Sequence, residues 1–305
     1  MILETPFYQV DVFSNELFGG NPLAVFLRGK DFKETQLQQV AREMNLSETT
    51  FIFPPSNPQA DFDIRIFTPE KEIPFAGHPT LGTAYVLSHT GLVPSTKKDL
   101  ILNFKAGLIP VTLEENDRIF MIQSSAKILQ TFPDRERVAF CLGLNVNNIK
   151  SDLPIQSVST GFPVLIVPIN SLRAIQRIIL NLPLLKELLE EVEVEMIYPF
   201  TRETVNFGNS VHARGFAPFI GIPEDPATGS AAGALGYYLN DKNLEEKEFL
   251  IEQGFEIKRS GNISVKITNT EGNKNIIRVG GKIKPVFKGS LYLYCLLYTS
   301  PSPRD

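Results

Sequence analysis

The chain contains the heptapeptide His78-Pro79-Thr80-Leu81-Gly82-Thr83-Ala84, which recurs as Asp225-Pro226-Ala227-Thr228-Gly229-Ser230-Ala231. Both copies consist of His or Asp, then Pro-x-x-Gly, then Thr or Ser, then Ala. The similarity begins upstream, since Arg65-Ile66-Phe67-Thr68-Pro69 precedes the first copy and Arg214-Gly215-Phe216-Ala217-Pro218 precedes the second. A repeated heptapeptide with a repeated lead-in predicts two homologous halves, each of which brings the start of one helix to a shared place.

Each copy has the composition of a helix start. Proline at the first helical position has the required φ and lacks an N–H that would be unpaired there, and a polar residue before it caps free N–H groups. We therefore expect His78 and Asp225 to cap two helices. The small residues that follow leave the first turn open, so each start offers backbone donors and a positive dipole end to a carboxylate or an oxyanion. The alternative is an ordinary capped helix packed through its glycines, and the matched pair favours the anion site.

The length of 305 residues favours two domains, because domains typically span about 150 residues. We expect one domain over residues 1–122 and another over 123–294, with the last strand able to pack on the first domain. The net charge of −4, with both signs interspersed, does not favour nucleic acid or an anionic membrane as a partner. No apolar run approaches the roughly 20 residues of a membrane span, so we expect a cytoplasmic protein.

Residues 295–305 have the sequence Cys-Leu-Leu-Tyr-Thr-Ser-Pro-Ser-Pro-Arg-Asp, which resembles the translation of a sequencing adapter. They break the preceding strand pattern, and we expect them to be a non-native tail. Cys141 is then the only native cysteine, which argues against a disulfide framework and a cysteine metal site. The three histidines also lack the spacing of metal ligands, so no metal site is predicted.

Hydrophobic periodicity predicts an α+β fold, with a mostly antiparallel sheet and one buried helix of small residues in each half. Helices are expected over 34–44 and from 78 to about 88 in the first half. In the second half we expect a helix over 134–142, two short helices divided at Pro183, and the small-residue helix from 226 to about 239. Separate strands are expected over 276–280 and 284–294.

Three polar residues are candidates for chemistry. His78 can satisfy a backbone N–H as a cap or, as a neutral imidazole that faces a ligand, shuttle a proton or bind a substrate oxygen. Asp225 has the same two alternatives. Glu48 begins a predicted strand between Ser47 and Thr49, polar neighbours that can orient a carboxylate. The simpler alternative for Glu48 is an exposed residue at the end of a strand.

If the two helix starts converge, Glu48, His78 and Asp225 share one cleft. Two carboxylates in a partly desolvated site raise one pKa towards the range that is useful for general acid–base catalysis. The helix dipoles stabilise negative charge on an enolate that forms when a proton is removed next to a carboxyl or carbonyl group. Such a reaction needs neither a metal nor an organic cofactor.

With these residues in place, the sequence closely resembles the PhzF-type phenazine-biosynthesis isomerases, a family with the fold of diaminopimelate epimerase. The resemblance rests on VDVFSNELFGGNPLAVF, NLSETTFIF, IRIFTPEKEIPFAGHPTLGTA, STGFPV, GFAPFIGIPEDPATGSAAGALGYYL and VGGKIKPVFKG, which together span residues 10–289. It implies two pseudo-symmetric domains, each a mostly antiparallel sheet wrapped around a central helix. It also implies an active site in the cleft between the domains, where the two helix starts meet.

The resemblance implies roles for individual residues. Glu48 matches the family's general acid/base, which removes a proton and returns it elsewhere on the same face, and His78 and Asp225 match polar residues that line the cleft. Substrate binding is implied for Gly77, Gly229 and Ser230, and for Ser47 by its adjacency to Glu48. The resemblance further implies a homodimer.

We therefore expect a cofactor-independent isomerase that moves a hydrogen within a small carboxylate-bearing substrate, with Glu48 as the single shuttling base. Related epimerases use two cysteines at the helix starts, and neither start contains one here, which disfavours cysteine-pair racemisation. One alternative is an amino-acid epimerase that uses Glu48 and Asp225 as opposed bases. Another is a metabolite-binding or interaction protein that keeps the fold without catalysis.

Overall fold

The computed structural model describes residues 2–123, 125–241, 248–269 and 275–294. The N-terminal part contains two helices, α1 (Glu34–Met44) and α2 (Gly77–His89). Its strands are β1 (Ile2–Val12), β2 (Asn21–Phe26), β3 (Glu48–Phe53), β4 (Phe62–Phe67), β5 (Glu72–Ile73), β6 (Asp99–Phe104), β7 (Gly107–Leu113) and β8 (Arg118–Ile122). Residues 295–305 lie outside the described residues, so the non-native tail stays a prediction.

The C-terminal part contains four helices in the described residues, α3 (Arg135–Cys141), α4 (Leu172–Gln176), α5 (Leu182–Glu191) and α6 (Gly229–Asp241). Its strands are β9 (Lys127–Phe132), β10 (Ile155–Ser159), β11 (Pro163–Pro168), β12 (Met196–Thr201), β13 (Val211–Ala213), β14 (Gly215–Ala217), β15 (Ile222–Asp225), β16 (Glu248–Gln253), β17 (Gly261–Asn269) and β18 (Asn275–Tyr294).

The N-terminal strands form a closed barrel around α2. The order around the barrel is β1, β2, β3, β4, β6, β7, β8 and β18, and β18 closes it by pairing with both β8 and β1. Helix α2 packs against β1, β2, β3, β7 and β8. All of its residues from His78 to Leu87 are buried, as expected for a helix with small or apolar residues on every face.

The C-terminal strands form a second sheet around α6. They follow the order β18, β17, β16, β13, β12, β11, β10 and β9, and α6 packs against β10, β11, β17 and β18. Each part has two parallel strand pairs in the same sequence, β2–β3 then β4–β6, and β11–β12 then β13–β16. In each part, the segment that connects the two strands of the second parallel pair contains the central helix. The α+β fold class with two pseudo-symmetric halves is thereby confirmed.

The repeated lead-in has the same structure in both halves. The Arg65 guanidinium donates two hydrogen bonds to Glu72, with N–O distances of 2.7 and 2.8 Å, and ties β4 to β5. The Arg214 guanidinium donates two hydrogen bonds to Glu224, at 2.9 and 2.7 Å, and ties β14 to β15. Each guanidinium also lies over the aromatic ring two residues further on, at 5.1 and 4.7 Å from its centroid. The repeat therefore conserves a bidentate ion pair, a geometry stronger than a single contact.

Glycines bring both central helices close to their sheets. A Cβ atom on Gly82 would lie 2.6 Å from Leu23 Cδ2 and 2.9 Å from Val12 Cγ2. A Cβ atom on Gly236 would lie 2.6 Å from Val265 Cγ1. Because protein interiors are close-packed, any side chain at these positions would push the helix away from the strands.

One apolar core runs through both halves, and helices cover the outside of each sheet. Leu81 of α2 and Leu235 of α6 belong to the same buried cluster. A second cluster lies between the sheet and α3, α4 and α5, and a third lies between the sheet and α1. The two central helices also contact each other, so their starts are held by a shared core.

Neither central helix starts at the residue that the heptapeptide predicts. Helix α2 begins at Gly77, after an extended Ala76 (φ −152°, ψ 147°) that has no side-chain cap. His78 therefore lies within the first turn, where Pro79 is tolerated because first-turn N–H groups have no helical acceptor. Helix α6 begins at Gly229, and Asp225 is the last residue of β15. The prediction that His78 and Asp225 cap the helices is wrong.

Two further boundaries differ from the sequence predictions. Pro183 does not divide α4 from α5 but is the second residue of α5, whose first turn accepts proline. The strands expected over 276–280 and 284–294 are one strand, because Gly280 and Gly281 stay paired with Phe120 and Ile119 of β8. Strands β5 and β9 were not predicted, since β5 has two residues and β9 lacks a clear alternation of buried and exposed positions.

Candidate active site

Strand β3 directs Glu48 towards the start of α2. Side chains alternate along a strand, so Glu48 and Thr50 share one face of β3. The Thr50 hydroxyl lies 2.9 Å from the Thr83 hydroxyl of α2, which fixes this face against the helix. Glu48 pairs with Leu23 of the parallel strand β2, so its backbone is held at that edge of β3.

Glu48 and His78 form a buried pair. Glu48 Oε2 lies 3.2 Å from His78 Nε2, and the side chains are 12% and 9% exposed. The angles at this contact are not those of a hydrogen bond, and both atoms lack a hydrogen-bond partner among the described residues. A buried polar atom without a partner is unfavourable by about 1–3 kcal/mol, so this pair is available to a ligand at a low desolvation cost.

Burial controls the charges of the pair. Desolvation, and next the negative charge of Asp225, raise the pKa of Glu48 to about 8. Desolvation lowers the pKa of His78 to about 3. At neutral pH a protonated carboxyl group therefore faces a neutral imidazole. A carboxyl group whose pKa lies this close to neutrality can both donate and accept a proton at physiological pH.

Asp225 is buried at the end of β15 and is held by neutral donors. Its Oδ1 accepts a hydrogen bond from Asn21 Nδ2 at 2.9 Å, and its Oδ2 accepts one from the Thr228 hydroxyl. Burial raises the pKa of Asp225, and the hydrogen bonds from Thr228 and Asn21 act in the opposite direction. The charge of Asp225 nevertheless acts on Glu48, which links the two halves of the molecule electrostatically.

Asn21 joins the two halves, although it was not among the predicted site residues. Its Nδ2 also donates to the Ala227 carbonyl at 3.1 Å, and its Oδ1 accepts from the Ser47 hydroxyl at 3.4 Å. Asn21 thus connects the residue before Glu48 with the carboxylate of Asp225. The only sequence signal was its position directly after the Gly19-Gly20 turn, at the start of a strand.

The remaining predicted site residues lie at the helix starts. Gly77 is the first residue of α2, and a Cβ atom there would lie 3.1 Å from Met121 Cε. Gly229 is the first residue of α6, and a Cβ atom there would lie 3.0 Å from the Phe13 ring. Ser230 follows it, and its carbonyl accepts from the Thr160 hydroxyl at 3.2 Å. The structure therefore brings the predicted residues to two adjacent helix starts, and their roles stay predictions.

The other histidines and the described cysteine lie elsewhere. His212 is buried between Glu252 and Glu256, at 2.8 and 3.0 Å from their oxygens, and these contacts account for its polar atoms. His89 ends α2 and Cys141 is buried in α3. Within the described ranges, no cluster of His, Cys, Asp or Glu has the arrangement of a metal site, and no helix is long and apolar enough to cross a membrane.

Two surface cavities lie away from these residues. One, of about 440 Å³, is lined by Lys98, Leu113, Glu114, Glu115, Asn116 and Arg118. The other, of about 550 Å³, is lined by Gly143, Leu144, Asn145, Asn148, Gln176, Arg177, Ile178 and Ile179. Neither cavity contains a predicted site residue. Glu48 and His78 themselves are largely shielded from water, as their low side-chain exposure shows.

The chain is similar to proteins that are named as isomerases. The chain is 34% identical to a protein from Bacillus subtilis named uncharacterized isomerase YfhB, over 91% of this chain and 95% of that protein. It is 32% identical to trans-2,3-dihydro-3-hydroxyanthranilate isomerase from Pseudomonas aeruginosa, over 93% of this chain and 98% of that protein. The fold, the buried carboxyl groups and these relatives define an enzyme of the isomerase class.

The family follows from the same comparisons. The chain belongs to the PhzC-PhzF family, since the family model described as phenazine biosynthesis-like protein matches residues 10–289. A crystal structure of a PhzF-family phenazine biosynthesis protein from Bacillus anthracis superposes with a TM-score of 0.88 and 30% identity. The superposition covers 95% of this chain and 100% of the other chain. The family indicated by the sequence resemblance is confirmed.

Proposed function

We propose that the protein is a cofactor-independent isomerase that moves a hydrogen within a small carboxylate-bearing metabolite, with Glu48 as the single acid/base. The observation that carries the proposal is the buried, unpartnered Oε2 of Glu48 opposite the unpartnered Nε2 of His78. His78 lies in the first turn of α2, and the start of a helix can stabilise a negative charge.

The proposed reaction transfers one proton in two steps. The ionised Glu48 removes a proton from a carbon next to a carboxyl or carbonyl group, and the electrons of the broken C–H bond form an enolate. Glu48 then returns the proton to another carbon on the same face, and the double bond shifts accordingly. Backbone N–H groups at the starts of α2 and α6 would bind the enolate oxygen. His78, neutral in this site, would form a hydrogen bond with a substrate oxygen.

The names of the relatives suggest the first substrates to test. Those from Pseudomonas are named for trans-2,3-dihydro-3-hydroxyanthranilate, a cyclic amino acid that carries a carboxyl group. The panel begins with this compound and continues with other small cyclic and amino carboxylic acids. The enzyme class favours this proposal over a binding protein that keeps the fold without catalysis.

The test compares wild type with Glu48→Gln, which keeps the shape of the side chain but removes its proton chemistry. We expect turnover and solvent-deuterium exchange to fall by about 10³-fold, within the range of a lost general acid/base. Glu43→Gln, on the exposed face of α1, is the matched control and should keep the wild-type rate. Equal rates for wild type and Glu48→Gln on every active substrate would exclude Glu48 as the base.

The pH dependence gives an independent check. Because a general base acts only when ionised, kcat/KM should rise with pH and level off above the Glu48 pKa of about 8. The measurement is the pH–rate profile on the substrate with the highest turnover. A profile that levels off below pH 6 would show that the reacting group is not a carboxyl group with a raised pKa.

The amino-acid epimerase with two opposed bases makes a different prediction. It requires Asp225 to accept a proton from carbon, whereas both of its oxygens already accept hydrogen bonds from Asn21 and Thr228. This arrangement favours a single base. Inversion at one carbon with deuterium incorporated from solvent would support the epimerase, and a hydrogen shift between two carbons would support the isomerase.

A further inference from the structure

A buried glutamine holds the turn that contains Asp225. Gln253 ends β16, and its Nε2 donates to the Asp225 carbonyl at 2.7 Å and to the Thr228 hydroxyl oxygen at 3.0 Å. Its Oε1 accepts from the Thr228 backbone N–H at 3.1 Å and from the Tyr198 hydroxyl at 2.7 Å. Gln253 and Tyr198 are fully buried. The amide is thus satisfied on both sides, which is typical of a polar network that fixes one geometry.

The partners of Gln253 determine the direction of each hydrogen bond. A backbone N–H can only donate and a carbonyl can only accept, so the contacts with Thr228 N–H and Asp225 C=O fix which end of the amide is Oε1. Nε2 must then donate to the Thr228 hydroxyl oxygen. The single hydrogen of that hydroxyl is left for Asp225 Oδ2, which is its other partner.

We propose that Gln253 is a positioning residue that acts through Thr228 to keep Asp225 ionised opposite Glu48. Gln253 orients the Thr228 hydroxyl, the hydroxyl donates to the Asp225 carboxylate, and the negative charge of Asp225 holds the proton on Glu48. The role rests on the proposed function, in which Glu48 is the acid/base. No substrate contact is required of Gln253 itself.

The groups that face the two carboxyl groups do not compete for this proton. His78 faces Glu48, and Tyr198, by its hydroxyl bond to Gln253, lies behind Asp225. Burial lowers the pKa of His78 to about 3, and burial and the charge of Asp225 raise the pKa of Tyr198 well above its usual value. Both stay neutral near pH 7. Asn21, the second donor to Asp225, does not titrate.

The test is a site-resolved titration of the two carboxyl groups by ¹³C NMR in Gln253→Met, a change that keeps the length of the side chain. With the Thr228 hydroxyl no longer oriented, the titration of Asp225 should move up by about one pH unit. A merely structural role for Gln253 would loosen the site and admit water. Both titrations would then move down together, and this result, or no movement, would overturn the proposal.

A second pair of variants keeps the test decisive if Gln253→Met does not fold. Thr228→Val removes the hydroxyl with little change of shape and should move the titration of Asp225 up, as Gln253→Met does. Thr228→Ser keeps the hydroxyl and should restore the wild-type titrations. Wild-type titrations in Thr228→Val, or shifted titrations in Thr228→Ser, would overturn the proposal.

A matched control and a separate readout complete the experiment. Gln156→Met removes another buried glutamine, whose Nε2 donates to the Thr131 hydroxyl at 3.0 Å, and should leave both titrations unchanged. A change of the same size in this control would overturn the assignment to Gln253. The titrations need no substrate, so they stand even if no acid in the panel is turned over. Loss of turnover in Glu48→Gln tests the proposed function separately.

Discussion

The starts of α2 and α6 come from two copies of one heptapeptide, yet their polar groups are arranged in opposite ways. At α2, Glu48 and His78 face each other with unpartnered atoms. At α6, both oxygens of Asp225 and both ends of the Gln253 amide are hydrogen-bonded. Unpaired buried groups are unfavourable until a ligand binds them, whereas paired groups hold a fixed geometry. Under the proposed function, the repeat has diverged into a reacting start at α2 and a fixed start at α6.

The largest expected effect concerns stability at the reacting start. The pKa of Glu48 is raised to about 8 in the folded protein, above the ordinary value of 4.5 that applies to the unfolded chain. The folded state therefore binds more protons between these values, and its stability falls as pH rises from about 5 to 8. Glu48→Gln removes this loss and should stabilise the protein by roughly 3 kcal/mol more at pH 8 than at pH 5.

Chemical denaturation at the two pH values measures this difference. Glu43→Gln, at an exposed position of α1, is the control and should show no such dependence on pH. If Glu48→Gln changed the free energy of unfolding equally at pH 5 and pH 8, the carboxyl group would not be desolvated, and the contrast between the two starts would be lost.

The next effect concerns His78, whose pKa is lowered to about 3 from 6.5 by burial. The unfolded state binds more protons than the folded state between these values, so stability rises with pH across this window and is lost as pH falls. When the pH is lowered from 6.5 to 4.5, the wild type should lose about 2 kcal/mol of its free energy of unfolding through His78. His78→Gln lacks the imidazole and should not show this loss. Parallel stability curves for the two proteins would contradict a buried neutral imidazole.

The smallest effect concerns the fixed start. Asn21→Ala leaves Asp225 Oδ1 and the Ala227 carbonyl without their shared donor, and Asn21 is only 1% exposed. We expect a loss of about 1.5 kcal/mol in the free energy of unfolding, typical of unsatisfied buried acceptors. Asn15→Ala, in the exposed turn nearby, is the control. If both variants had the same stability in thermal and chemical denaturation, the hydrogen bonds of Asn21 between the halves would not contribute to the free energy of unfolding.

Much of the fold could be predicted from local patterns, and the site only in part. The small-residue helices and the lead-in pairs depend on residues that are near in sequence, and the heptapeptide alone indicated where the halves would meet. The start of α6 was misplaced because Thr228, the residue before it, is held by Gln253 of the distant strand β16. Asn21 and Gln253 were missed for a similar reason, since Asn21 bonds a residue 204 positions away.

The course of β18 has a consequence for the order of folding. Its early residues pair with β17 and its late residues with β1, the first strand of the chain. During synthesis, β8 keeps an open edge until residues 278–282 can pair with it, and β1 keeps one until residues 283–294 can pair with it. Pairing between such distant segments slows folding and makes the two halves cooperative. The barrel that holds Glu48 is therefore the first to be synthesised and among the last to close.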